Sequence, residues 1–195
     1  MNEENSGEFR KGMPFLGGSL WLDLLNTTPE IDGQPLDLVG DSARALFWAS
    51  SAGIACHETK AQAESVAART LRKELRLAFE SMAAGDGIPS STVVATNALL
   101  SGIAIRRQLH VHDETISLEE HETVEGPAIA AAAAADLARF IADFEPARLK
   151  HCGNPACTMV FYDRGKNNRR RWCSMAVCGN RHKVANYRAR KSEQR

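Results

Sequence analysis

The chain has 195 residues, 44 % of them apolar, and 24 Lys and Arg balance 24 Asp and Glu. That length supports one core plus a small module, and no apolar run approaches the ~18 residues of a membrane helix, which excludes a spanning segment. Met1 to Arg10 is acidic and polar and lacks the apolar stretch of a secretory signal, so a cytoplasmic chain with reduced cysteines is expected.

Residues 1–12 read as a disordered arm. Ser19 is placed to cap a short apolar helix over Leu20–Leu25, which the turn at 26–30 ends. Asp41 suits the N-cap of a helix over 42–52, with Gly53 as its stop. The strongest helical pattern spans 58–84. There Ala67, Leu71, Leu75, Ala78 and Met82 recur at helical spacing, while Arg69, Arg72, Lys73, Arg76 and Glu80 occupy the other faces. Gly85-Asp-Gly breaks it, and Ser90 or Ser91 opens another helix that stops near Gly102. The period then changes to two. Ile103, Ile105, Leu109 and Val111 mostly alternate with polar residues, Asp113-Glu114 makes a turn, and Ile116, Leu118 and Val124 return, so a β-hairpin is expected. Gly126-Pro127 opens an alanine-rich helix thin enough for close packing, and Pro146 marks the boundary between this body and a C-terminal module.

Beyond that boundary lie two cysteine pairs. Cys152 and Cys157 enclose Gly-Asn-Pro-Ala, Cys173 and Cys178 enclose Ser-Met-Ala-Val, and fifteen residues separate the pairs. Four soft thiolates in a reduced protein suit one tetrahedral zinc ion, and four sulfur ligands leave no open position, so the metal is structural. An iron–sulfur cluster takes the same ligands, but the order is that of a treble-clef finger. A strand at 159–162, a turn at 163–168, a return strand at 169–173 and a helix capped by Ser174 are expected, with Cys178 in the helix's first turn. So small a ribbon buries too little apolar surface to fold alone, and zinc supplies roughly 10–16 kcal/mol in comparable fingers. His151 and His182 stand near ligand positions, but the cysteines already complete a tetrahedron. Cys56, alone among small and apolar residues, reads as core filling.

The zero net charge conceals a division. Residues 148–195 carry thirteen bases against Asp163 and Glu193, a balance of +11, and residues 1–147 carry eleven bases against twenty-two acids, a balance of −11. Thirteen bases exceed what a −2 zinc–thiolate centre needs. Arg169, Arg170 and Arg171 on the expected hairpin and Arg181, Lys183, Arg188, Arg190 and Lys191 on the terminal helix form a candidate phosphate-contacting surface. Trp172 and Tyr187 read as core of the small module. The acidic body either masks the basic tail or serves as a scaffold or dimerisation unit.

The residues at this point resemble a known family. Cys178-Gly-Asn-Arg181, with Cys152-Gly-Asn-Pro-Ala-Cys157 and Arg170-Arg-Trp-Cys-Ser-Met-Ala-Val-Cys178 before it, is similar to the CGNR zinc finger. Leu22-Asp-Leu-Leu-Asn-Thr27 resembles the opening motif of the ABATE domain that precedes this finger, and Leu71-Arg-Lys-Glu-Leu-Arg76 resembles its long-helix motif. The resemblance implies a bacterial-type, stress-induced transcription regulator with Cys152, Cys157, Cys173 and Cys178 as zinc ligands.

Within the body, Asp23, Asn26 and Thr27 carry two readings: lining of a small-molecule pocket, or a helix C-cap and turn. His57, His110, His112 and His121 are isolated, and residues 1–147 contain no nucleophile–base pair, Gly-rich phosphate loop or carboxylate–histidine motif, so an enzyme is not expected. The expected architecture is α+β. A disordered arm at 1–12 precedes a mostly helical body with a β-hairpin at 13–146, and a treble-clef-like finger occupies 147–195. The expected function is a zinc-containing, DNA-binding regulator. Its partners would be double-stranded DNA, a small-molecule effector and a second copy in a homodimer, with no membrane contact. An RNA-binding protein and a protein-interaction module with a purely structural zinc are the alternatives.

Overall fold

The structure, a computed structural model, describes residues 7–31, 34–113 and 115–193. Six helices and four two-stranded antiparallel pairings organise the described residues. Short strands β1 (Phe9–Arg10) and β2 (Met13–Pro14) lead into α1 (Leu20–Leu25); β3 (Glu30–Ile31) and β4 (Gln34–Pro35) precede α2 (Ser42–Ala52). A 3₁₀ turn over Glu58–Lys60 opens into the long α3 (Ala61–Ala84), which α4 (Ser90–Leu100) succeeds. Then come the hairpin β5 (Ile103–His112) and β6 (Thr115–Val124), α5 (Ala128–Ile141), β7 (Leu149–His151), β8 (Val160–Tyr162) and α6 (Asn180–Glu193). Among the described residues no helix is long and apolar enough to cross a membrane.

The body is built around α1. Trp21, Leu22, Leu24 and Leu25 are all fully buried, because α3, α5 and β8 pack against this single short helix. The alanine run of α5 does what its small side chains permit: Ala130, Ala131, Ala133 and Ala134 are buried where α5 meets α1, α3 and α4.

Helix ends show how these elements are locked together. Asp41 caps α2 as expected, its carboxylate accepting from the Arg44 N–H at 2.8 Å. The chain leaves α2 and α3 through Gly53 (φ 77°) and Gly85 (φ 87°), left-handed positions that strain any residue with a Cβ. Ser19 occupies the N-cap position of α1, but the capping acceptor comes from α5: Asp136 takes both the Ser19 hydroxyl and, at 3.0 Å, the Trp21 N–H. α5 is capped in turn from α3, where the buried Glu64 carboxylate accepts from the Ala128 and Ile129 N–H groups at 2.8 and 2.9 Å.

The structure bears on three expectations. Residues 1–6 and Glu114 lie outside the described residues, but the rest of the supposed arm is ordered by β1–β2 pairing, with the Phe15 N–H donating to the Glu8 carbonyl at 2.8 Å. The hairpin β5–β6 forms in the register Ile103↔Val124 to His112↔Thr115, yet its apolar side is uncovered. Leu109, Val111, Ile116 and Leu118 are 57–71 % exposed because no helix among the described residues lies over them. Finally, β8 pairs with β7, not with residues 169–173. The return segment is held by side chains instead of a ladder. Asp163 accepts from the Arg170 and Gly165 N–H groups, and Lys150 Nζ donates to the Asn168 and Arg170 carbonyls.

Candidate metal centre and basic surface

β7 and β8 flank the first cysteine knuckle. The Cys152 N–H donates to the Met159 carbonyl and the Cys157 N–H to the Asn154 carbonyl, each at 2.9 Å, which folds Gly153–Ala156 into a tight loop. The Gly153 N–H donates to the Arg171 carbonyl at 2.8 Å and brings the second pair alongside. Ser174 caps the next element as expected, its hydroxyl accepting from the Val177 N–H at 3.4 Å. Cys178 sits in the π-helical turn Met175–Gly179 that runs on into α6. Knuckle, return segment and helix start thus supply the ligand positions of a treble-clef-like finger.

The sulfur atoms of Cys152, Cys157, Cys173 and Cys178 all lie within 4.8 Å of one another. Cys157 and Cys173 are 3.7 Å apart, and Cys173 and Cys178 3.6 Å. Thiolates tetrahedral about a metal at ~2.3 Å have edges of ~3.8 Å, so the donor set fits a single ion. The Cys173 N–H points at Cys152 Sγ (3.4 Å) and Asn154 Nδ2 at Cys178 Sγ (3.5 Å), contacts that favour ionised sulfur. Without a cation the cluster cannot ionise evenly. The hydrogen bond from Cys173 pulls Cys157 down to about 5, while the same bond, burial and the neighbouring sulfurs push Cys173 far up, and burial raises Cys178. Cation binding removes that conflict. His151 and His182 stay out of the cluster: His151 packs edge-on against Phe79 and reaches Glu80 at 3.2 Å, and the His182 ring lies 4.7 Å from that of Trp172. Cys56 lies apart as well, its thiol pushed up to about 11 by burial and by Glu64.

The metal module is joined to the body. Leu149, Val160 and Tyr162 belong to the body's own core, and Leu16 from the N-terminal segment packs among the ligand cysteines. Asn26 Nδ2 donates to the Val160 carbonyl and Oδ1 accepts from the Val160 N–H, both at 2.8 Å. Asp23 accepts from the Gly17 N–H at 2.7 Å, and Thr27 donates to the Leu24 carbonyl at 2.6 Å while receiving Arg72 Nη1 at 2.7 Å. All three residues are buried, and these bonds are those of a helix end and a junction between elements, as opposed to the lining of an open pocket. What sequence reading missed is the partner of Asn26, because Val160 is 134 residues away.

Of the basic residues singled out, Arg169, Arg171, Arg181, Lys183, Arg188, Arg190 and Lys191 are exposed. Arg170 departs from expectation. Its guanidinium lies over the Phe161 ring at 4.3 Å and donates to the Leu16 and Trp172 carbonyls at 2.9 and 3.0 Å, so it braces the module against the body. Tyr187, expected in the module's core, is 62 % exposed on α6, whereas Trp172 does pack against the cysteine cluster.

Comparison with known families agrees with this geometry. The family model described as Putative stress-induced transcription regulator (ABATE) matches residues 18–143, and the CGNR zinc finger matches residues 148–191. No curated protein matches the chain. Both matched families are non-catalytic. The chain belongs to the ABATE family and carries a CGNR zinc finger at its C-terminal end.

Proposed function

We propose that the chain is a DNA-binding transcription regulator whose finger is held by one structural zinc ion and whose α6 contacts the phosphate backbone. The observation that carries this reading is the distribution of charge around α6. At ~100° per residue, Arg181, Lys183, Arg188, Arg190 and Lys191 fall within about 180° of the helix circumference, with the exposed Val184 and Tyr187 in the middle of that arc. A helix that begins two residues after a metal ligand is anchored at one end, and a basic face on such a helix suits a groove lined with phosphates. Arg169 and Arg171 extend the surface; Arg170 does not. Tyr187 in the centre of the arc favours a second reading, RNA with an unpaired base stacked on the ring.

The test is a titration of labelled duplex and of single-stranded RNA with the zinc-loaded full chain at several salt concentrations. For DNA, log affinity should fall linearly with log salt at about −0.9 per phosphate neutralised, and Lys183→Ala/Arg188→Ala/Lys191→Ala should reduce the slope by up to about three such contacts. Salt-insensitive binding, or a slope unaltered in the triple variant, would contradict the assignment.

A further inference from the structure

Acids outnumber bases two to one in residues 1–147, yet four of the eleven bases there line a single cavity. It has a volume of about 560 Å³, runs along α3, and is walled by Arg69, Arg72, Lys73 and Arg76 together with Thr28 and Thr70. That volume lies in the range of small-molecule sites. The cations stand at 69–72, 69–73, 72–76 and 73–76, helical spacings at which like charges face and repel each other. The acids of the same helix bond elsewhere, although the charge of Glu80 still reaches Arg76: Glu74 accepts from the Ser91 hydroxyl, and Glu80 meets His151.

One carboxylate partly compensates the row. Arg72 forks onto Asp37 at 2.8 and 2.6 Å, and Arg69 approaches the same carboxylate at 3.6 Å. Among the described residues no carboxylate lies at ion-pairing distance from Lys73 or Arg76. Burial pushes the Arg76 guanidinium below its usual range; the charge of Glu80 opposes this and that of Arg72 adds to it. Arg76 remains charged regardless, so a positive groove, half-buried at Arg72 and Arg76 and exposed at Arg69 and Lys73, is left under-compensated in an otherwise acidic body.

We infer that this cavity binds a small oligophosphate anion, a diphosphate or triphosphate chain, free or carried by a nucleoside. From Arg69 to Arg76 the row extends about 10 Å at ~1.5 Å per residue. A lone carboxylate or orthophosphate reaches one or two of these cations, whereas a phosphate chain distributes its charge along all of them. Guanidinium forks match phosphate oxygens in pairs, Lys73 adds a point charge, and the Thr28 hydroxyl supplies a donor, that of Thr70 being engaged with the Val66 carbonyl at 2.9 Å. The site adjoins the metal module, since the Thr28 carbonyl accepts from the hydroxyl of Thr158, the residue after Cys157. It stands independently of whether α6 binds nucleic acid.

The experiment is calorimetric titration of the zinc-loaded full chain with inorganic triphosphate, ATP, orthophosphate and a short DNA duplex, with metal content measured before and after. Saturable binding of triphosphate or ATP is expected, at least about tenfold tighter than orthophosphate. ATP binding more tightly than triphosphate would identify a nucleoside source, and equal binding a free phosphate chain. Arg69→Gln/Lys73→Gln/Arg76→Gln, which leaves the Arg72–Asp37 fork in place, should weaken this at least about tenfold while the far-UV spectrum is unchanged. Should the triple variant fold poorly, Lys73→Glu alone reverses one exposed charge and should weaken binding in the same direction. Absence of saturation at about 5 mM, or equal affinity in wild type and the folded variant, overturns the inference. So does a groove variant that loses duplex affinity while triphosphate fails to bind, which would make the groove part of a nucleic-acid face.

Discussion

Asn26 and Val160 exchange two hydrogen bonds of 2.8 Å, so the carboxamide that ends α1 stands in for a neighbouring strand along β8. Both groups are buried, and neither peptide atom of Val160 has water as a substitute partner. Asn26→Ala should therefore cost about 2–4 kcal/mol, two unsatisfied buried groups at ~1–3 kcal/mol each with some relaxation. At ~2–4 °C per kcal/mol in a protein of this size, the melting temperature should fall by roughly 10 °C. Thermal unfolding of the zinc-loaded variant measures it. An unchanged midpoint would return Asn26 to the role of a ligand-pocket residue.

Glu64 makes a parallel test. Its carboxylate is 1 % exposed and holds the first two N–H groups of α5. Glu64→Ala should destabilise by about 3 kcal/mol, and Glu64→Gln, which keeps one acceptor oxygen, by about half as much. Urea unfolding of both variants gives the ratio, and equal losses would mean that charge, not acceptor number, is what α5 requires.

Metal removal should reach beyond the finger. Leu149, Val160 and Tyr162 are body core, and at ~1.5–3 kcal/mol per fully buried side chain they contribute about 5–9 kcal/mol, much of an ordinary domain's ~5–15 kcal/mol. Cys173→Ser should abolish stoichiometric zinc and lower amide protection in β7, β8 and the end of α1, and a chain ending at residue 147 should not fold stably. Hydrogen exchange decides: loss of protection confined to residues 149–193 would make the finger an independent unit.

The pH dependence rests on three carboxyls. Burial pushes Asp23 up to about 7, against the Gly17 N–H and the Arg10 charge, from an ordinary value of 3.8. Between those values the native chain holds a proton that the unfolded chain has released, so stability falls as pH rises from about 4 to about 7, by up to about 4 kcal/mol. Asp37 and Asp163 act oppositely. Burial opposes them, but Arg72 for the first and Lys150 with two N–H groups for the second hold their carboxyls low, so their contribution is lost only as pH falls through the folded values. Stability should peak on the acid side of neutral. Asp23→Asn, which keeps an acceptor for Gly17, should flatten the profile between about pH 4 and about pH 7. The same slope in variant and wild type would contradict this.

Much of the protein was local and therefore readable in advance. Asp41 and Gly53 bracket α2, Gly85 ends α3, and Ser174 caps the turn holding Cys178, because caps depend on a few adjacent residues. The cysteine spacing announced the four-sulfur cluster for the same reason: residue type and separation are properties of a short segment. Tertiary structure decided what depends on distant partners. Val160, across 134 residues, settles what Asn26 does, and Leu16 and Phe161 turn Arg170 inward while its neighbours Arg169 and Arg171 stay exposed. The alternation of Ile103 to Val111 specified a hairpin but not what covers it, since pairing is set by the strand and burial by whatever else the chain brings near. Likewise the motif at 71–76 showed its charges only as a list. It took the packing of Thr28 beside α3 to gather Arg69, Arg72, Lys73 and Arg76 around one cavity, because a helix fixes spacing along itself while a concave site needs a second wall.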